Sequence, residues 1–212
     1  MTLTFAEEEL KQHNYEMYNV HDHLKGLSVE ELKRINETDR LPYAVAVINL
    51  TGSLNIGVII RTACNLGAER VLVFGRRKYD ARSCVGSHNY IPVERIGGFV
   101  EDMAPDMEID PVKFDQMMTD FNYTPVFLET PCEYEIGDAS WQGLAVRARM
   151  EGPKPCLVFG SESKGIPQTI MSKGLTYSVP QLGVIRSYNV SAAASIAMWE
   201  MYKAMRRRIC ES

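Results

Sequence analysis

The sequence lacks most of what identifies a function at first sight. Its 212 residues hold five cysteines, an odd number, and no two form a Cys-x-x-Cys pair. A disulfide framework is therefore excluded, the wide separation of the cysteines argues against a cysteine–histidine zinc site, and Cys64 and Cys156, in apolar runs, read as thiols of a reducing compartment. No apolar run approaches the roughly 20 residues of a membrane span. The opening stretch MTLTFAEEELKQHNYEMYN has neither the basic start nor the apolar centre of a secretion signal. The expectation is a cytoplasmic protein with no membrane partner. Positive charge is not in excess: 23 Lys and Arg face 27 Asp and Glu, a net −4. Any nucleic-acid contact must then come from local basic patches. Fifteen glycines and ten prolines are too few for a disordered or collagen-like chain. With 45% hydrophobic residues, the chain can bury a large core.

Several catalytic signatures are missing too. No Gly-x-Ser-x-Gly nucleophile elbow occurs, and no Gly-x-Gly-x-x-Gly follows a strand. Gly160 and Gly165 have phosphate-loop spacing, but Ile166 stands where the loop's lysine belongs, which disfavours a nucleoside triphosphatase. His13, His21 and His23 have no neighbouring ligands in sequence, so no metal is expected.

What is present is an alternation of apolar strands and helical patterns. Residues 1–42 are charged and amphipathic. They read as about two helices packed outside the main core, one opened by the Ser28/Glu31 capping box of SVEELKRINE. From Tyr43 onward YAVAVINL, VLVFG, PVFLET, PCLVFG and the short YSVPQ read as strands. Helices are predicted over NIGVIIRTACNLG (Asn55 as cap, Gly67 as stop), DPVKFDQMMTDF, PQTIMSKG and the long NVSAAASIAMWEMYKAMRRR. Strands alternating with helices predict an α/β fold, a mostly parallel sheet covered on both faces. Ligands of such sheets bind beyond the carboxyl ends of the strands. Three unusual loops fall there: TGSLNIG, GSESKGIP and QLGVIRSYN.

Glu162, between two glycines, repels phosphate and suits a ligand with a cationic or hydroxyl-bearing part. Glycines after a strand allow close backbone approach to a ligand. Ser187, Asn189 and Ser191 precede or open the last helix. One of them can serve as its cap; three exceed what a cap requires. Arg61 sits in the apolar run GVIIRTAC. Either it faces solvent, or it is buried with a partner and a task. Arg76, Arg77 and Lys78 follow a strand at the same edge, with Tyr79, His88 and Tyr90 nearby. They read as a solubilising surface or as contacts to RNA phosphates and bases.

Taken together, NIGVIIRTACNLGAERVLVFG, LVFGSESKGIP and VPQLGVIRSYNVSAAASIAMWEMYK resemble the three ordered motifs of the SPOUT methyltransferases, and most closely the SpoU (TrmH-like) RNA ribose 2′-O-methyltransferases. The resemblance covers about residues 43–208. It implies a methyltransferase domain over 43–212 after an N-terminal helical extension, with a deep trefoil knot formed by roughly residues 155–197. It also implies a homodimer with S-adenosyl-L-methionine as cofactor. Carried over by motif, Asn55 and Arg61 match the first, Gly160, Glu162 and Gly165 the second, and Val179, Gly183, Ser187, Asn189 and Ser191 the third.

Arg61 is then expected to act on the ribose hydroxyl, with Asn55, Glu162, Ser187 and Asn189 ordering loops and substrate. Cofactor contacts are expected along Gly160, Glu162, Gly165, Val179, Gln181, Leu182, Tyr188, Asn189 and Ser191, with Thr130 as floor, and RNA contacts at Arg76, Arg77, Lys78 and His88. The third motif departs from its usual Ile-Pro-Met and Ser-Leu-Asn, reading Val179-Pro180-Gln181 and Ser187-Tyr188-Asn189. The implied reaction is methyl transfer to a ribose 2′-hydroxyl of tRNA. The alternatives are rRNA, a base nitrogen as acceptor, or a non-catalytic RNA-binding module that keeps the fold.

Overall fold

The computed structural model describes residues 19–48, 53–75, 79–96, 109–130, 132, 134–162 and 164–207. The chain runs α1 (Val29–Thr38), β1 (Ala44–Ile48), α2 (Ser53–Asn65), β2 (Val71–Phe74), β3 (Val93–Ile96), α3 (Pro111–Asp120) and β4 (Tyr123–Leu128). It continues through α4 (Ala139–Arg149), β5 (Lys154–Phe159), α5 (Gln168–Met171) and β6 (Leu175–Tyr177) to α6 (Val190–Arg206). The six strands form one sheet in the order β3-β2-β1-β5-β4-β6, every pair parallel.

Both faces are covered, and the alternation of side chains along each strand divides the core. Val45, Val47, Val71, Val73, Leu157 and Phe159 face a layer built on α2, α4 and α6. Ala44, Ala46, Ile48, Leu72, Phe74, Cys156 and Val158 face the layer built on α3 and α5. Each fully buried Val, Leu or Phe side chain contributes about 1.5–3 kcal/mol. These continuous apolar strands therefore carry most of the stability.

Several elements differ from the sequence reading. The expectation of about two N-terminal helices lies partly outside the described residues; from residue 19 on, the extension holds a 3-10 turn, Asp22–Leu24, and the helix α1. Its capping box is present: Glu31 N–H donates to Ser28 Oγ at 3.3 Å, and Ser28 N–H donates to Glu31 Oε2 at 2.8 Å. Helix α2 starts at Ser53, so Asn55 lies in its first turn and is not its cap. Strand β6 ends at Tyr177, because Ser178 leaves the sheet and donates its N–H to the Tyr134 carbonyl at 2.8 Å. Helix α4 was not anticipated. Asp138 caps it, and Trp141, Leu144, Ala145 and Ala148 form its buried stripe. No helix among the described residues is long and apolar enough to cross a membrane.

Candidate functional site

The strand order reverses between β1 and β5. Strand β2 lies on one side of β1 and β5 on the other, so the crevice beyond their carboxyl ends is a topological switch point. The loop after β5 carries Glu162, and the first turn of α2, reached from β1, carries Asn55. They meet there. Asn55 Nδ2 donates to Glu162 Oε1 at 2.6 Å. The third motif joins them: Asn189 Nδ2 donates to Asn55 Oδ1 at 3.3 Å. Asn189 Oδ1 in turn accepts from Ser191 N–H at 2.9 Å and from Ser191 Oγ at 2.6 Å. Every link donates toward Glu162, and such chains polarise in one sense and strengthen when they end on a carboxylate. Asn189, and not Ser187, is therefore the cap of α6, and its amide continues into the site. Ser187 is exposed and, among the described residues, outside this chain of bonds.

The loop after β5 folds back on itself. Ser161 N–H donates to the Gly165 carbonyl at 3.1 Å, and Gly165 N–H to the Ser161 carbonyl at 2.9 Å. This closure explains both glycines. A side chain on Gly160 would run into the Gly165 carbonyl and the Ile166 nitrogen, and Gly165 sits at φ +68°. On the side where a Cβ would stand, the space beside Gly160 is taken by the chain's own backbone, so the loop's closure by itself requires a glycine there. Glu129, at the end of β4, fastens the same loop by accepting from Ile166 N–H at 3.1 Å. The sequence reading missed Glu129; the available signal was a carboxylate directly after the apolar run PVFL, at the sheet's carboxyl edge. Thr130 beside it is exposed and donates its N–H to Glu129 Oε1 at 3.2 Å.

Val179 is buried at the root of the third loop, while Leu182 and Val184 stand fully in solvent. Two bonds close that loop: Gln181 Nε2 to the Arg186 carbonyl at 3.1 Å, and Tyr188 Oη to the Pro180 carbonyl at 3.0 Å. The Glu162 carboxylate is the charged acceptor at the junction, among neutral amides, the Tyr188 and Ser191 hydroxyls and backbone groups. It suits a cationic, hydroxyl-bearing ligand better than a phosphate.

Arg61 is not part of the Asn55–Glu162 cluster. It lies six residues further along α2, about 9 Å up the helix. It is exposed, so of the two readings of this position the solvent-facing one holds and no burial penalty arises. It lines a cavity of about 750 Å³ between α2, the end of α6 and the N-terminal segment. Cys84 lies in the same wall, its thiol pushed up to about 11 by burial. His88 lines a second cavity, of about 430 Å³, with Lys33 and Arg40, and its Nδ1 has no hydrogen-bond partner among the described residues. Arg76, Arg77 and Lys78 lie outside the described residues. No group of three His, Cys, Asp or Glu among the described residues is placed to hold a metal.

This arrangement is similar to known proteins. YacO of Bacillus subtilis (strain 168), assigned to the TrmH family of tRNA/rRNA methyltransferases, is 24% identical over 178 residues, 81% of this chain and 62% of that protein. The chain spans about three fifths of the length of the curated relatives it matches. The SpoU methyltransferase AviRb from Streptomyces viridochromogenes, solved in complex with AdoMet, superposes with a TM-score of 0.60 at 22% identity, covering 78% of this chain and 57% of AviRb. An RNA 2′-O ribose methyltransferase gives a TM-score of 0.60 at 19% identity, again 78% of this chain and 57% of the other. At such identities the likeness is one of fold. The sequence model of the SpoU rRNA Methylase family matches residues 42–199, and so spans the sheet and all three loops joined at the switch point: the chain belongs to that family.

Proposed function

We propose that this chain is an S-adenosylmethionine-dependent RNA methyltransferase that methylates a ribose 2′-hydroxyl, of tRNA rather than rRNA. The observation that carries the reading is the junction of the three motif loops through Asn55, Glu162 and Asn189 at the switch point. When bound, the cofactor supplies an electrophilic methyl group on a sulfonium, so the hard chemistry is its own. The residues to hold it are the backbone of Gly160 and Gly165, Val179, Gln181, Leu182 and Tyr188, with Thr130 and Ser191 at the edges. Glu162, Asn55 and Asn189 keep the second and third loops in register. Arg61 meets the ribose oxygen. A guanidinium stays protonated, so its task is to stabilise the developing alkoxide, while an RNA phosphate is the available proton acceptor.

In this reading the protein is a cytoplasmic homodimer. The support for the dimer is the exposed apolar set Leu54 and Val58 on α2 with Ile196 and Trp199 on α6. The division at residue 42 and the trefoil knot over residues 155–197 belong to the same proposal, as do RNA contacts at Arg76, Arg77, Lys78 and His88.

The test has two stages. A thermal shift with S-adenosylmethionine separates a live pocket from a binding module without a cofactor. Nucleoside mass spectrometry of tRNA and rRNA from cells with and without the protein then reads the acceptor. Loss of a 2′-O-methylnucleoside from tRNA is expected. Loss of a base-methylated nucleoside, or of none, overturns the ribose assignment.

A further inference from the structure

The cavity in front of Arg61 is built from two parts of the chain that the family motifs do not link. One wall is the second half of α2, with Arg61, Cys64 and Asn65, together with Arg206 at the end of α6. The opposite wall is the N-terminal segment, with His21, His23 and Leu24, while Leu32 of α1 contributes to the floor. The segment is fastened in place. Asn36 Nδ2 and Arg40 Nη2 donate to the Tyr90 carbonyl at 3.1 and 3.3 Å, and Leu41 N–H donates to the Gly67 carbonyl at 2.7 Å. Leu32 is buried, and Leu24 and Leu27 pack on the same core.

The chemistry of the walls is mixed in a particular way. The floor is apolar, from Leu32, Cys64 and Leu66. The rim carries two guanidiniums, Arg61 and Arg206, against one carboxylate, Asp39. Among the described residues neither guanidinium has an ion-pair partner. His21 and His23 hold their rings nearly parallel, 18° apart, with centroids 5.7 Å apart. Flat rings over an apolar floor take a nucleobase, and unpaired guanidiniums take a phosphate. At about 750 Å³ the cavity falls in the range of about 300–1,000 Å³ usual for ligand sites.

We infer that this cavity seats a nucleotide of the RNA substrate. The N-terminal segment around His21 and His23 contacts its base, and Arg206 contacts a flanking phosphate. The inference rests on the RNA methyltransferase reading above and adds to it a substrate wall outside the three motifs. His21, His23 and Arg206 are substrate-positioning residues; the reacting atoms are left to Arg61.

The experiment uses the full-length protein, a His21→Ala/His23→Ala variant and Arg206→Ala. Lys173→Ala serves as a control that removes one positive charge from beside α5 in the opposite layer. Total RNA from cells lacking the protein is the probe. It is used end-labelled in filter binding and unlabelled in methyl transfer from tritiated S-adenosylmethionine. Each of the two test variants is expected to lose RNA affinity by at least about fivefold, the loss of one stacked base or one phosphate contact. The RNA KM should rise in step, kcat at saturating RNA should stay within about twofold, and cofactor affinity should not change. Lys173→Ala should match wild type in all four. RNA affinity within about twofold of wild type in both test variants, with circular dichroism unchanged, overturns the inference. So does an equal loss in the Lys173→Ala control. A wild-type protein that binds RNA through these residues but transfers no methyl group overturns the methyltransferase reading and leaves the cavity's role standing.

Discussion

Asn55 and Glu162 stand 107 residues apart in the chain and 2.6 Å apart in space, and their bond holds together the crevice between β1 and β5. A neutral amide donating to a carboxylate is worth about 1.5–3 kcal/mol. Asn55→Ala should leave the fold intact and weaken S-adenosylmethionine binding about tenfold by calorimetry. Asn55→Asp is the sharper variant. It sets a second carboxylate against Glu162, so at neutral pH its binding should be weaker than that of Asn55→Ala. Its binding should recover as the pH falls toward 5, when the pair shares a proton. Equal binding by Asn55→Asp and wild type at pH 8 would remove this bond from the site.

The two kinds of glycine in this chain should respond oppositely to an added methyl group. At Gly160 the methyl would meet the Gly165 carbonyl and undo the closed loop. Gly143, within α4, is exposed and has open space where a Cβ would go. Gly143→Ala should therefore stabilise by about 0.5–1 kcal/mol, raising Tm by about 1–4 °C. Gly160→Ala should lower both Tm and cofactor affinity. A Gly160→Ala protein with wild-type Tm would show that the loop has another way to close.

Much of the fold is legible because it depends on local pattern. The doubly buried strands read as unbroken apolar runs, and the Asp110–Pro111 start of α3 is realised, with Asp110 accepting from Val112 N–H at 2.9 Å. Helix α4 could have been read from Trp141, Leu144, Ala145 and Ala148, spaced for one helical face. What spacing does not reveal is which groups meet. Nothing in GSESKGIP shows that Gly160 makes room for Gly165, or that Glu129 from another strand closes the loop. The sequence left Arg61 open between a solvent-facing and a buried position for the same reason, and the structure shows it exposed. An apolar helix sequence does not tell which of its positions faces away from the sheet.

Asp138 ties stability to pH. Burial pushes its carboxyl up, but bonds from Trp141 N–H and the Ser140 hydroxyl outweigh this and hold it below the usual carboxylate range. A depressed folded value means a contribution present above the unfolded value of about 3.9 and lost as the pH falls through the folded one. Asp138→Ala should cost about 1 kcal/mol at pH 7, or about 2–4 °C in Tm. The difference from wild type should shrink below about pH 4. A gap that stays constant from pH 7 to pH 3 in thermal melts would rule out the ionised cap as its cause.

Trp199 is about half exposed and stacks on Tyr202, with ring centroids 5.5 Å apart. Ile196, also on α6, and Leu54 and Val58 on α2 are likewise exposed apolar side chains. Apolar side chains left in water are costly, and in the proposed dimer a second copy covers them. Trp199→Glu should sediment at half the mass of the wild-type protein. A wild-type protein that is itself monomeric at micromolar concentration would refute the dimer.

Arg61 gives the most decisive test of the mechanism, because its exposure separates chemistry from stability. An exposed side chain without an ion-pair partner among the described residues can be removed at little structural cost, within about 0.5 kcal/mol. Arg61→Ala should therefore keep Tm within about 2 °C and keep most cofactor affinity. If Arg61 stabilises the oxyanion of the attacking ribose, the same change should slow methyl transfer by at least about a hundredfold. Arg61→Lys should recover little, because an ammonium lacks the planar two-pronged contact. The measurement is single-turnover transfer to bound RNA at saturating S-adenosylmethionine, which isolates the chemical step from binding. A near wild-type rate for Arg61→Ala under those conditions would leave Arg61 as a solvent-facing residue of α2 and require another group to meet the ribose oxygen.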